Sequence, residues 1–405
     1  MTFEAQLASG LASQRDARRY RVRKVVEARA AGSPHVRVDG RECLAFCSND
    51  YLGLAAHPRV TEAFVAAARE WGVGSGASHL ISGHCREHHA LEEELAAFVQ
   101  RPRALLFSTG YMANLAVVQA LVGRGDRVLE DRLNHASLLD AGLSSGARFG
   151  RFPHADSAAL RARLSRAAAG HTLVATDGVF SMDGAIAPLA ELAAACREHD
   201  AWLFVDDAHG FGVLGAHGRG TIEAAALGPA AVPVLMGTLG KAAGTFGAFV
   251  AGTADLIETL VQRARTYIYT TALPPAVAAA TRASLRVMQE ESWRRERVLQ
   301  YAARFQREAA ALGLNLMPSS TPIQPVLLDT EEAALAASNA LLEAGLWVPA
   351  IRPPTVPAGS CRLRITFSAA HGPRDLDRLL EALSCLPYAM RGAKAPSIPH
   401  PGDRF

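Results

Sequence analysis

LFVDDAHG, residues 203–210, opens on three apolar residues and closes on two carboxylates and a histidine. A run apolar throughout suits a strand covered by helices on both faces. Polar groups directly after it then stand at the strand's carboxyl end, where open α/β sheets bind their ligands. The pattern recurs outward along the chain. Strands are predicted at 104–108, 127–130, 173–176, 203–205, 234–237 and 248–251, with helices at 90–99, 111–122 and 188–199 among them. This alternation gives an α/β sheet sandwiched by helices. Polar clusters follow the strands: Ser108-Thr-Gly110-Tyr111, Asp131-Arg-Leu-Asn134-His135-Ala-Ser137, Thr176-Asp177 through Ser181 and Asp183, Asp206-Asp207-Ala-His209, and Thr238-Leu-Gly-Lys241. Together they describe one pocket holding a lysine, two histidines and several carboxylates.

The 405 residues are 49% hydrophobic with a net charge of +3, which excludes a disordered chain and a basic nucleic-acid binder. Only Lys24, Lys241 and Lys394 are lysine among 42 basic residues. Lys241 is the one in the chain's interior, so the pocket holds a primary amine where the rest of the sequence prefers arginine. The N-terminus lacks the apolar core of a signal peptide, and no run is long enough to span a membrane. The six cysteines are scattered, as expected for reduced thiols in a cytoplasmic protein. The arginine-rich residues 1–48 are read as a mainly helical N-terminal arm, 49–285 as the large domain, and 286–388 as a smaller α+β domain. That last domain is expected to open with a helix from 285 to 312 and to carry strands at 323–328, 346–351 and 362–367. The Pro- and Gly-rich residues 389–405 predict a poorly ordered tail.

Competing motifs fail. A phosphate-binding P-loop needs glycine at 235 and Ser or Thr at 242, where Leu235 and Ala242 stand. Gly72-Val-Gly-Ser-Gly-Ala follows a helical pattern and lacks dinucleotide spacing, which argues against a nicotinamide-dependent dehydrogenase. His84-Cys-Arg-Glu-His88-His89 imitates a metal cluster, but its continuation Ala90-Leu-Glu-Glu-Glu-Leu reads as a surface-facing helix, and no metal is expected. The remaining residues have distinct chemistry. Gly110-Tyr111 at a helix start suits a phosphate, although a plain strand-to-helix turn reads equally well. Asp206 after a buried strand needs a cationic partner, either a protonated pyridine nitrogen or an arginine. Lys241 can form a Schiff base, which arginine cannot.

Ser48-Asn-Asp-Tyr-Leu-Gly-Leu, Asn134-His-Ala-Ser-Leu, Gly178-Val-Phe-Ser-Met-Asp-Gly, Val205-Asp-Asp-Ala-His-Gly and Gly240-Lys241, in that order, resemble the α-oxoamine synthases. The resemblance runs from about residue 15 to 386. It implies the fold type I, aspartate aminotransferase-like architecture of pyridoxal 5'-phosphate (PLP) enzymes, with a mostly parallel central sheet between helices and a smaller C-terminal α+β domain. It further implies PLP held by Lys241, Asp206 paired with the pyridinium nitrogen, His135 on the ring face, and His209 on the ring's 3-oxygen with Ser181 nearby. Gly110, Tyr111 and Thr238 would hold the phosphate, and Thr270 and Thr271 would reach it from a partner subunit, implying a homodimer. Arg364 would clamp an amino-acid carboxylate, Asn49 would line the substrate side, and Thr355 and Arg21 would contact an acyl chain. Lys241, His135, Asp206 and His209 are the implied catalytic residues.

Residues 320–325 and 351–359 are most similar to the biotin-pathway branch, implying L-alanine and a pimeloyl thioester as substrates, carried by coenzyme A or an acyl carrier protein. A glycine-using branch and a non-catalytic protein of this fold are the alternatives. The N-terminal arginines Arg15, Arg18, Arg19, Arg21 and Arg23 could meet an acidic carrier, but a solvated helix face is the preferred reading. Asp177 stands where the family usually carries glutamate, which draws the carboxylate back by about one methylene.

Overall fold

The computed structural model describes residues 1–17, 19–29 and 32–387. Arg18 and the expected C-terminal tail lie outside them. A seven-stranded sheet forms the centre. Its strands, in chain order, are β4 (Arg103–Phe107), β5 (Arg127–Asp131), β6 (Arg148–Phe152), β7 (Thr172–Asp177), β8 (Trp202–Asp206), β9 (Val234–Thr238) and β10 (Ala248–Gly252), preceded by β1 (Val26–Arg29), β2 (His35–Val38) and β3 (Arg41–Ala45). Across the sheet the order is β4-β10-β9-β8-β7-β5-β6. β5 to β9 run parallel, and only β10 opposes both its neighbours. The apolar strand interiors pack helices on both faces, building one core cluster around Val174, Leu203 and Val205 and a second around Val128, Phe204 and Met236. This sandwich directs the carboxyl ends of β4, β5, β7, β8 and β9 toward a common edge.

All six expected central strands form. β6 is an unexpected seventh, because its residues RFGRF alternate in no apolar pattern and only Phe152 is fully buried. The N-terminal arm departs further from expectation. Its helix ends at Asp16, and residues 26–45 form three strands. These join β12 (Leu346–Trp347) in a four-stranded sheet, with β3 and β12 parallel. A third sheet holds β11 (Ile323–Leu327), β14 (Arg362–Thr366) and β13 (Ala350–Ile351), so the single strand expected at 346–351 is split between two sheets. The helix expected at 285–312 is two helices, Pro275–Glu290 and Trp293–Ala311. Glu291 leaves helical geometry between them, where its carboxylate takes Arg294 at 2.8 Å and His57 at 3.5 Å. No proline or glycine marks that break in the sequence.

The segment read as a surface-facing helix at 84–95 is also different. The helix begins only at Arg86, and His88 is fully buried with Nε2 donating to the Leu273 carbonyl at 2.6 Å. All six cysteines are free thiols. Among the described residues no helix is long and apolar enough to cross a membrane.

Candidate active site

The end of β8 separates two carboxylates, Asp206 as its last residue and Asp207 directly after it. Asp207 turns inward, where its oxygens accept from Thr221 N at 2.7 Å and Thr221 Oγ1 at 2.8 Å, a bond that secures the chain reversal after the strand. Asp206 turns into the pocket, with Oδ1 accepting from Ala208 N at 3.0 Å and Oδ2 from Asn114 Nδ2 at 2.7 Å. Of the adjacent pair, only Asp206 is offered to a ligand.

Four other strand ends complete a cavity of about 200 Å³, lined by Gly110, Tyr111, His135, Ser181, Thr238 and Lys241 among others, with Asp206 and His209. Gly110 starts the helix Gly110–Leu121, capped by the Thr109 side chain, so free amides and the positive dipole end point at the cavity. Lys241 follows β9 in a tight loop that presses on residues 54–55. Gly244, at φ +66°, permits this approach, because a Cβ there would lie 2.3 Å from Ala55 N. Burial pushes the Lys241 amine down to about 8, against the upward pull of Asp206 and Asp177.

Two hydrogen-bond chains organise the pocket. Lys241 Nζ lies 2.8 Å from His209 Nε2, whose Nδ1 lies 2.6 Å from the Tyr51 hydroxyl. Burial first, and Lys241 next, hold His209 well below the usual imidazole range, so it is neutral. Lys241 therefore donates to Nε2, Nδ1–H donates to Tyr51, and Tyr51 donates to Asn49 Oδ1 at 3.2 Å, a tautomer assigned from the network. Arg364 Nη2 donates to the same Asn49 oxygen at 3.2 Å, and its Nε donates to the Ser181 carbonyl at 2.5 Å.

The second chain begins at His135, the N-cap of the helix Ala136–Ser144. Its Nδ1 accepts from Ser137 N at 3.3 Å and lies 2.7 Å from Ser137 Oγ, which leaves the proton on Nε2. Ser137 Oγ accepts from Asn114 Nδ2, the same amide that bonds Asp206. Asn134 ties the loop to β7, donating to the Ala175 carbonyl and accepting from Asp177 N. Asp177 Oδ2 accepts from His135 N at 3.0 Å. The shorter side chain at 177 thus still reaches the histidine loop. Burial, and Asp206 beside it, hold the Asp177 carboxyl well above the usual range.

The cluster expected from sequence assembles around Lys241. Ser181 and Thr238 line the cavity, although Thr238 Oγ1 donates to the Gly247 carbonyl at 3.1 Å. Tyr111 donates to Asp140 at the rim. Asn49 and Arg364 stand beside the cavity through Ser181. Thr270, Thr271, Arg21 and Thr355 are not brought to it. The two threonines come after the short helix Arg265–Ile268 and Tyr269, and the residue that follows them, Ala272, bonds Ala77 O; Arg21 is exposed outside any helix or strand; Thr355 is exposed in a turn with its amide on Arg352 O. Sequence reasoning missed Asn114, Ser137 and Tyr51 as site members. Ser137 and Tyr51 stood inside motifs already noted, while Asn114 lay within the expected helix 111–122, of which only the start was given a role.

The Aminotransferase class I and II family model matches residues 41–383. The 8-amino-7-oxononanoate synthase of Saccharophagus degradans is 58% identical over 95% of this chain and 97% of its own length. Among solved structures, a serine palmitoyltransferase from S. paucimobilis with bound PLP-myriocin superposes with TM-score 0.90 at 31% identity, covering 95% of this chain and 98% of that one. The 8-amino-7-oxononanoate synthase of Francisella tularensis superposes with TM-score 0.75 at 32% identity, over 84% and 97%. The pocket at the ends of β4, β5, β7, β8 and β9 therefore sits in a fold type I architecture, and the chain belongs to the class I and II aminotransferase family.

Proposed function

We propose that the chain binds PLP at Lys241 and condenses L-alanine with a pimeloyl thioester, giving 8-amino-7-oxononanoate, CO2 and the free carrier thiol. The observation that carries this is the pairing of a lysine amine that burial lowers to about 8 with a buried carboxylate, Asp206, across one cavity. Similarity to 8-amino-7-oxononanoate synthases supports the substrate choice.

The residues fit the cofactor. Two buried oxygens of residues lining the cavity, Asn114 Oδ1 and Asp177 Oδ1, have no hydrogen-bond partner. Buried polar atoms left unpaired are rare, and a polar ligand satisfies them. Lys241 would hold the group through its amine, Asp206 would pair with its ring nitrogen, and the amides at Gly110 and Tyr111, with Thr238, would receive its phosphate. Bound there, PLP supplies an electron sink for the pair left at an amino acid's Cα.

The protein's own groups account for the remaining chemistry. Arg364 presents a guanidinium fork to the alanine carboxylate, with Asn49 alongside. Lys241 takes the Cα proton, and its contact with His209 gives that proton a route toward Tyr51. The His135 Nε2–H donates to the thioester carbonyl as negative charge grows there. A bond forms between alanine Cα and the acyl carbon as the C–S bond breaks and the thiol leaves. The alanine carboxylate then departs as CO2, and Lys241 returns a proton to Cα. Thr355 and Arg21 are proposed contacts for the acyl chain, carried by coenzyme A or an acyl carrier protein.

A homodimer completes this reading, with Thr270 and Thr271 reaching the partner's phosphate. Neither lines its own pocket, and the nearby Tyr269, Ile81 and Val73 are 71%, 80% and 87% exposed. A monomer in size-exclusion with scattering detection would contradict this assembly.

The substrate assignment is tested by pairing a pimeloyl thioester with L-alanine, glycine or L-serine. L-alanine is expected to release thiol fastest by at least tenfold; faster release with glycine would assign another branch of the family. A pH dependence follows from Lys241. Only the neutral amine captures an aldehyde. With its value pushed down to about 8, about a tenth of it is neutral at pH 7, against about one part in three thousand for an ordinary lysine. The rate at which the cofactor-free chain takes up PLP, followed by its visible absorption, should rise with pH through about 8 and level off above. A rate still climbing toward pH 10 would contradict the lowered value.

A further inference from the structure

A second cluster of chemistry-bearing side chains stands apart from the Lys241 cavity. The turn His79–Gly83 and the start of the helix Arg86–Phe98 bring four histidines and a glutamate together. Two overlapping triads, His79–His84–His88 and His84–His89–Glu92, each hold one possible ligand atom per residue within 4.8 Å of the others. A cavity of about 400 Å³ opens beside them, lined by His79, His84, His89, Glu92 and Tyr267. It shares no lining residue with the Lys241 cavity.

Hydrogen bonding decides between the triads. His88 is fully committed: Nε2 donates to the Leu273 carbonyl at 2.6 Å and Nδ1 accepts from Cys85 N at 3.1 Å. It would have to surrender a bond to ligate. His79 stacks on Tyr267, with ring centroids 5.0 Å apart and planes at 11°, and places Nδ1 3.0 Å from His84 Nδ1. That contact occupies one ring nitrogen of His84 and leaves the other. Glu92 accepts from Leu106 N through Oε1 at 3.0 Å, which leaves Oε2. His89 stands three residues before Glu92 on the same helix, so the two share a face.

We propose that His84, His89 and Glu92 bind a divalent transition-metal ion of the zinc class, with His79 as the positioning residue that fixes the His84 ring. Two imidazoles and one carboxylate are the donor set of open zinc sites, and the cavity leaves room for water to complete the shell. Imidazole donors select zinc, cobalt, nickel or copper over magnesium and calcium. A hydrogen bond to the second nitrogen of a ligating histidine is the usual outer-shell support, here supplied by His79. The site adjoins the segment at 272–273, which Ser75 Oγ and the Ala77 carbonyl grip at 2.6 and 3.0 Å. An ion there would fasten the turn at 79–83 to the helix behind that segment.

The test is titration of Co(II) into the PLP-loaded, full-length chain without an affinity tag. One equivalent per chain should bind, with the visible absorption of a four- or five-coordinate nitrogen–oxygen site, and Zn(II) should displace it. His84→Ala should abolish binding, and the isosteric Glu92→Gln should weaken it at least tenfold. His79→Phe, which keeps the stack on Tyr267, should weaken it about 10- to 100-fold. His217→Ala, a surface control whose side chain bonds Glu223, should leave it unchanged. The PLP absorption reports that each variant is folded. Cobalt affinity unchanged in both His84→Ala and Glu92→Gln, or no cobalt bound at millimolar concentration, would overturn the assignment.

Discussion

Lys241→Arg is expected to leave a folded chain that neither holds PLP covalently nor turns over. Arginine keeps a positive charge beside Asp206 and Asp177, so the buried carboxylates are not stranded. Its guanidinium stays protonated and is no nucleophile, so neither the covalent hold nor the Cα proton transfer survives. Proton transfer alone contributes about 10²- to 10⁴-fold, and activity should fall by at least that much. Thermal melting with and without PLP separates the effects: the midpoint without PLP should stay within a few degrees, while the rise on adding PLP should shrink. A variant with normal visible absorption and residual turnover above about 1% would remove Lys241 from the chemistry.

Asp206→Asn is the second large effect. Asparagine preserves shape and can still accept from Ala208 N, but its amide nitrogen then meets the Asn114 Nδ2 donor, so the charge and one acceptor are lost together. Removing one partner of a buried ion pair costs about 3–5 kcal/mol. At about 1.4 kcal/mol per tenfold, turnover should fall by roughly 10² to 4 × 10³. The neighbouring position supplies the contrast. Asp207 bonds Thr221 through backbone and side chain and faces away from the cavity. Asp207→Asn should lower the melting temperature, at a cost of about 1–3 kcal/mol, with kcat largely kept. Equal losses of kcat at 206 and 207 would refute the division of roles.

The central strands and their polar ends were readable because a sheet covered on both faces makes its strands uniformly apolar, as in β8 and β9. β6 escaped because it is an edge strand with one wholly buried residue. The short strands β12 and β13 carry two residues each, too few for any periodicity, and β12 is drawn into its sheet by β3, far earlier in the chain. The break at Glu291 depends on ion pairs to Arg294 and His57, the latter more than two hundred residues away. Lys241, Asp206, His135 and His209 were legible from residue type at strand ends. Asn114 was not: it is a buried helix residue whose amide joins Asp206 to Ser137, a contact only the fold creates. His88 was misjudged for the same reason, since its carbonyl partner, Leu273, lies far away in sequence.

Carboxyl-labelled L-alanine, incubated with the PLP-loaded chain and a pimeloyl thioester, gives the most direct measurement. Decarboxylative condensation at the Lys241 pocket predicts labelled CO2 and unlabelled 8-amino-7-oxononanoate, released in equal amounts with free thiol and absent with Lys241→Ala. Label retained in the product, or thiol released without CO2, would contradict it.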